Sequence, residues 1–183
     1  MGQQFKALSE KHIAFINQQK IFFVGTASHD SRVNISPKGM DSFHIIDQNR
    51  IAWLNVTGSG NETSAHIQQH PRMTIMFTAF EGNPLTLRLY GSAKVIHHTD
   101  KEWEDMYSLF KPLPGARQIF DLSVEMVQNS CGMSIPFYDY AGERDQLTHW
   151  AKVQGDQGIK QYWENKNQLS IDGEPTNILD KNT

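Results

Sequence analysis

A glycine-flanked turn between a β-prone run and a helix is the segment whose residue types best suit anion binding. Residues 51–71 read I-A-W-L-N-V-T-G-S-G-N-E-T-S-A-H-I-Q-Q-H-P. The first backbone N–H groups of a helix have no intrahelical partner, and the helix dipole adds partial positive charge there. Gly58 and Gly60 would let a ligand approach the backbone closely. This turn can therefore hold a phosphate, although an ordinary capped helix has the same local pattern.

The helix that follows this turn is predicted over residues 60–70. Ser59 and Glu62 have the S-x-x-E spacing of a capping box, and the residue before Pro71 disfavours helix. His66 and His70 lie four apart, a spacing that can bind a metal, but the run H-I-Q-Q-H lacks the glutamate of the metalloprotease motif. We therefore predict an exposed helix face there and no metal site.

A second polar surface is predicted on an earlier strand, at residues 32–38. Residues 32–38 alternate, so that one face carries Val33, Ile35 and Pro37 and the other carries Arg32, Asn34, Ser36 and Lys38. The polar face cannot fill an apolar interior. It must face solvent, a partner subunit or a ligand.

Length and composition limit the class of protein. The chain has 183 residues, of which 38% are hydrophobic and 20% charged, and its net charge is −3. We read one domain over residues 1–183, with a core at about 20–136 and a helical C-terminal extension at about 142–183. Without a basic block, a nucleic-acid partner is not expected.

The single cysteine and the hydropathy pattern predict a cytoplasmic protein. Cys131 has no second cysteine to pair with, so we expect a buried structural thiol in a reducing compartment. No run approaches the roughly 18–20 apolar residues needed to span a membrane, and the N-terminus lacks an apolar signal core. No membrane association is therefore expected.

The order of elements predicts a mainly antiparallel protein. Strands are predicted at residues 21–27, 32–38, 43–46, 50–56, 73–80, 85–97 and 119–127, with a bulge or bend at Gly91. Helices are predicted at 3–19, 60–70 and 100–110, and one or two lie within 142–163, broken near Gly155. The remaining C-terminal tail should be extended. These spacings suit hairpins, which favours an antiparallel barrel or strongly curved sheet with short peripheral helices.

The same segments, taken in order, resemble the pyridoxamine 5′-phosphate oxidase-related family of FMN-binding split barrels. The resemblance rests on H-D-S-R-V-N-I-S-P-K-G at 29–39, W-L-N-V-T-G-S-G-N-E-T-S-A-H-I-Q-Q-H-P at 53–71 and L-T-L-R-L-Y-G-S-A-K-V at 85–95. Residues 114–119, 130–132, 142–150 and 166–175 are also similar to the largely uncharacterised branch of that family, rather than to the oxidase itself. The resemblance implies a split β-barrel and a homodimer with FMN in a groove between the subunits.

Site residues follow from the resemblance position by position. The oxidase has S-R-K at the helix start, whose basic pair holds the phosphate, whereas this chain has Asn61, Glu62 and Thr63 there. Another cation must then replace that pair, and the candidates are Lys38, Arg88, Arg32 and, from the other subunit, Arg117. We predict Lys38 and Arg88, with backbone N–H groups at 61–63. Further expected cofactor contacts are Arg32, Asn34, Ile35, Ser36, Asn55, Thr57, Asn61 and Thr63.

The implied activity is that of an FMN-dependent oxidoreductase acting on a small molecule that the sequence does not identify. A reduced nicotinamide is a candidate electron donor, and no general acid or base is needed because the flavin itself accepts electrons. Oxidase activity on pyridoxine phosphate is not expected without S-R-K. Two alternatives stay open. One is a non-catalytic flavin or haem carrier or sensor, with His29, His44 or His149 as axial ligand, and the other is a deazaflavin-dependent reductase.

Overall fold

Eight antiparallel strands form one sheet in the computed structural model, which describes residues 2–182. The strands are β1 Gln4–Phe5, β2 Phe22–Thr26, β3 Asn34–Lys38, β4 Phe43–Asp47, β5 Arg50–Val56, β6 Arg72–Thr78, β7 Thr86–Ile96 and β8 Ala116–Ser130. Their order is β3-β2-β6-β7-β8-β5-β4, and β1 pairs with β8. Because β3 and β4 end this order, the sheet is not closed. The predicted antiparallel split barrel is confirmed, in an open form.

Five helices accompany the sheet within the described residues: α1 Glu10–Gln18, α2 Glu62–Gln69, α3 Trp103–Tyr107, α4 Gln146–Lys166 and α5 Ile178–Asn182. The predicted break in α4 is confirmed, since Gly155 has φ 60° and ψ −178° within it. The prediction of an extended C-terminal tail is wrong for α5. Among residues 2–182, no helix combines the length and apolarity that crossing a bilayer requires.

The first helix is shorter than the predicted 3–19, for a local reason. Ser9 Oγ accepts a hydrogen bond from the His12 backbone N–H at 3.3 Å, while His12 Nδ1 accepts one from the Ser9 N–H at 3.2 Å. This reciprocal cap begins the helix at Glu10. The residues before it are drawn into the sheet, where Phe5 pairs with Val127.

Strand β5, second from one end of the sheet order, is buried on both faces. Ile51 and Trp53 belong to the main core, and the Trp53 ring stacks on Phe120 with 4.8 Å between centroids. Ala52 and Leu54 point to the other side, into a second cluster covered by α3. Strand alternation therefore divides β5 between two cores.

The predicted irregularity at Gly91 is a β-bulge, and it yields a stability prediction. The register between β7 and β8 shifts at Tyr90–Gly91, and a Cβ at Gly91 would lie 1.9 Å from the Ser123 carbonyl oxygen. We expect Gly91→Ala to lower the free energy of unfolding by about 2–4 kcal/mol, because backbone would have to move. Urea denaturation measures this loss.

Gly25→Ala is the matched control for Gly91→Ala. A Cβ at Gly25, also within the sheet, would meet nothing closer than 3.8 Å. Its effect should stay within about 1 kcal/mol. Equal stability of the two variants would contradict the close approach of β7 and β8 at the bulge.

Candidate functional site

A cavity of about 370 Å³ opens beside the predicted phosphate turn. This volume lies within the roughly 300–1,000 Å³ of small-molecule sites. We call it the β3–β5 cavity, because alternate residues of β3 form one wall and the end of β5 another. The loop after β3, the turn 58–60, the start of α2, one residue of β8 and Leu147 of α4 complete the lining.

The buried Arg117 guanidinium is the main source of positive charge in this cavity. The residue is 2% exposed, and its hydrogen bonds go only to neutral oxygens. Nη1 donates to the Gly58 carbonyl at 3.3 Å and to Asn167 Oδ1 at 3.0 Å, and Nη2 donates to the Gly60 carbonyl. Burial lowers the pKa of Arg117 to about 10, which leaves the group charged at neutral pH. Its charge is therefore not compensated by an ion pair within residues 2–182.

A β-bulge aims Arg117 into the cavity. Asn55 of β5 pairs with Gln118 of β8, while the next residue, Val56, pairs with Ala116. Arg117 is thus the extra residue of β8 and has no partner opposite it. Bulges re-aim side chains in this way, and they are common beside functional sites.

Lys38 supplies the second cation. It lies on β3 with its Nζ 4.9 Å from the centre of the Trp53 ring. In the described part of the chain, this ammonium has no carboxylate within ion-pair distance. Burial, and then the charge of Arg117, lower the pKa of Lys38 to about 8, although Glu62 acts in the opposite direction. Lys38 is therefore about half protonated near pH 8.

Glu62, whose carboxylate would repel a phosphate at this turn, is held by backbone groups. Its Oε2 accepts a hydrogen bond from the Asn61 N–H at 3.0 Å, and its Oε1 accepts one from the Ile171 N–H at 3.3 Å. The predicted capping box with Ser59 is wrong, because the N-cap is Asn61 and Glu62 is already the first helical residue. Two cations and one carboxylate leave this lining with one net positive charge.

The structure brings seven of the eleven expected cofactor contacts to the cavity. They are Asn34, Ser36, Lys38, Asn55, Asn61, Thr63 and Arg117. Arg117 was expected from a second subunit, but here it belongs to the same chain as the other six. Asn34 Nδ2 donates to Thr63 Oγ1 at 3.3 Å, which joins β3 to the start of α2.

The other four expected contacts lie elsewhere in this chain. Thr57 is 1% exposed and sits behind the wall, where its Oγ1 donates to the Gly115 carbonyl and accepts from Trp163 Nε1, both at 2.8 Å. Arg32 pairs with Asp172, and Ile35 is 68% exposed on the opposite face of β3. Arg88 lies on β7, three strands from β3 and two from β5 in the sheet order. Its Nη1 donates to Ser130 Oγ at 3.0 Å.

Several side-chain environments differ from the sequence prediction. His66 was expected on an exposed helix face, yet it is fully buried, with Nδ1 3.1 Å from Thr26 Oγ1. Cys131 was expected to be buried and is exposed. No histidine of residues 2–182 lines the β3–β5 cavity, so His29, His44 and His149 all lie outside it.

Sequence reasoning missed Asn167, which follows α4 and is fully buried against Arg117. The only signal for it was its place within the segment 166–175, which resembles the related family branch. Trp53, whose ring faces Lys38, was expected only in the core or at a subunit contact. Neither residue has a local pattern that marks a site.

Comparisons with known proteins identify the family of this chain. The family model described as pyridoxamine 5′-phosphate oxidase matches residues 8–131. The pyridoxamine 5′-phosphate oxidase family protein ustO of Aspergillus flavus is 34% identical over 140 residues, which cover 74% of this chain and 56% of the relative. This chain therefore spans little more than half of the length of that relative.

Two solved structures share the fold at low identity. One is a candidate pyridoxamine 5′-phosphate oxidase of Lactobacillus delbrueckii, with TM-score 0.54, 19% identity and coverage of 67% of this chain and 94% of that one. The other is a single-residue variant of HupZ from Group A Streptococcus, with TM-score 0.52, 20% identity and coverage of 67% and 98%. With the family model matching more than half of its residues, the chain belongs to the pyridoxamine 5′-phosphate oxidase family, as a relative of the oxidase rather than the oxidase itself.

Proposed function

We propose that this chain binds FMN in the β3–β5 cavity and acts as an FMN-dependent oxidoreductase on a small molecule. One observation carries the proposal: the cavity holds two cations, Lys38 and Arg117, and only Glu62 opposes them. Burying a charge without a partner is costly, so an anionic ligand is the natural complement of this pair. Proteins of the family generally bind flavin, and FMN carries a phosphate.

The donor set fits that phosphate. The Lys38 ammonium can contact a phosphate directly, while the Arg117 guanidinium, whose Nη1 already donates to two protein oxygens, adds its positive charge. The first turn of α2 adds backbone N–H groups and the positive end of its dipole. Asn34, Ser36 and Asn55 line the same cavity and could orient the uncharged part of the ligand. The flavin supplies the electron-transfer chemistry, while the protein binds and orients it.

A homodimer is the second part of the proposal. Val33 and Ile35 are 71% and 68% exposed on the outer face of β3. They border a separate cavity of about 590 Å³ formed with β2, β6 and β7. A second copy would cover this apolar face, since exposed apolar patches mark interaction surfaces. Light scattering should then give the mass of two 20.9 kDa chains, and the mass of one chain would contradict it.

Equilibrium binding of FMN tests the cofactor assignment. The purified protein should show the absorption bands of oxidised flavin, or should take up added FMN at about one molecule per chain. Riboflavin, which lacks the phosphate, should bind more weakly because it has no negative charge to interact with Lys38 and Arg117. Absence of FMN uptake at high micromolar concentration would overturn the proposal. Steady turnover of bound flavin by reduced nicotinamide would then separate an enzyme from a carrier.

A further inference from the structure

The segment that follows α4 contacts the cation pocket, the part of the β3–β5 cavity formed by Lys38, Arg117 and the turn 58–60. We call residues 167–176 the C-terminal strap. An isolated bridge between Leu169 and Pro175 closes this segment on itself. Asn167 begins the strap and is 0% exposed. The strap therefore reaches Arg117 from a part of the sequence 50 residues beyond it.

Asn167 forms hydrogen bonds with Arg117, with the glycine turn and with the start of α2. Its side-chain Oδ1 accepts from Arg117 Nη1 at 3.0 Å, and its Nδ2 donates to the Gly58 carbonyl at 3.0 Å. Its backbone carbonyl accepts from Asn61 Nδ2 and, at 2.6 Å, from Thr176 Oγ1. One residue thus joins the arginine, the glycine turn and the N-cap of α2.

The rest of the strap is anchored on the same side of the molecule. Glu174 Oε1 accepts from Ser28 Oγ at 2.6 Å, and Ser64 Oγ donates to the Thr176 carbonyl at 3.2 Å. Asp172 pairs with Arg32. These contacts tie the strap to the chain between β2 and β3 and to α2. The strap is therefore anchored along its length, and Asn167 at its start is fixed in place.

The neutral amide of Asn167 matters for the charge of the site. A carboxylate in its place would form an ion pair with Arg117 and would lose the donor to Gly58. The amide instead fixes the direction of the guanidinium and leaves its charge for a ligand. We infer that Asn167 is a positioning residue that gives the cavity its preference for a phosphorylated ligand. This inference rests on the proposed function, because it concerns the same cation pocket.

Asn167→Asp tests the inference through the ratio of two affinities. We expect FMN affinity to fall about ten- to a hundredfold, because the new carboxylate compensates Arg117, while riboflavin affinity changes less than about threefold. Asn165→Asp is the matched control, since it adds the same charge on the exposed surface of α4 two residues away. It should leave both affinities unchanged. Equal loss of FMN and riboflavin in Asn167→Asp, or no loss of either, would overturn the inference.

A second variant and a second ligand keep the test decisive. Asn167→Ser is smaller and uncharged, and it should lose FMN selectively but less than Asn167→Asp does. If Asn167→Asp does not fold, an unchanged FMN-to-riboflavin ratio in Asn167→Ser overturns the inference. Inorganic phosphate, followed by thermal shift, separates the two proposals. Wild-type stabilisation by phosphate without FMN uptake would reject the cofactor alone, whereas no response to either ligand would reject both.

Discussion

Replacing Arg117 with methionine is expected to lower FMN affinity by about ten- to a hundredfold and to change riboflavin affinity far less. Because Nη1 already donates to Gly58 and Asn167, Arg117 acts on a phosphate through its positive charge, and one charge-assisted interaction is worth about 1.5–3 kcal/mol. The same substitution removes the donors to the Gly58 and Gly60 carbonyls. It should therefore also lower the free energy of unfolding by about 2–4 kcal/mol. Flavin fluorescence titration measures the first effect and urea denaturation the second.

Two comparisons separate ligand binding from folding in this experiment. Arg117→Lys keeps a positive charge but not the planar fork, so its FMN affinity should fall between those of the wild type and Arg117→Met. Arg88→Met distinguishes the arginine favoured by sequence from the one the structure places in the cavity. A selective loss of FMN in Arg88→Met, with none in Arg117→Met, would refute the cavity assignment. Equal loss of FMN and riboflavin in Arg117→Met would show that Arg117 serves the fold.

The affinity for FMN should fall as the pH rises above about 8, because Lys38 loses its proton there. Its pKa in the ligand-free protein is about 8, and an adjacent phosphate would raise it, so FMN binds more tightly when Lys38 is protonated. Above that pH, binding must also take up a proton, and affinity should fall by up to about tenfold per pH unit. Titrations of FMN and riboflavin between about pH 6.5 and 9.5 measure this, and the riboflavin affinity should stay flat.

Lys38→Met should remove the pH dependence of FMN affinity. It should also stabilise the ligand-free protein. The pKa of Lys38 in the folded chain, about 8, lies below the usual 10.5, so the unfolded chain binds more protons between these values. The wild-type free energy of unfolding should therefore rise with pH across this window. Below pH 8, Lys38→Met should be more stable by about 1–3 kcal/mol, because it no longer buries an unpaired charge. Lys111→Met is the control, since Lys111 is exposed and pairs with Asp41. If FMN affinity in Lys38→Met still falls as the pH rises, Lys38 is not the source of that pH dependence.

The amino-acid sequence by itself determined the elements with strong local patterns. It placed the strand Arg50–Val56 at its observed limits, the break at Gly155 and the irregularity at Gly91. It also put Asn34, Ser36 and Lys38 on one face of β3, and the structure places that face on the cavity. These features depend on strand alternation and on glycine geometry within a few residues. The family was recognisable from the order of such segments.

Which arginine reaches the cavity was decided only by the tertiary structure. Arg88 and Arg117 both lie on long central strands, and the predicted limits of the last strand, 119–127, left Arg117 outside it. A shift of one residue in strand register moves a side chain to the other face of a sheet. The bulge opposite Asn55 and Val56 makes that shift at Arg117. Asn167 is brought beside it by packing of α4 and the strap. Contacts between residues so far apart in the chain leave no periodic signal in it, because they depend on how the finished sheet and helices fit together.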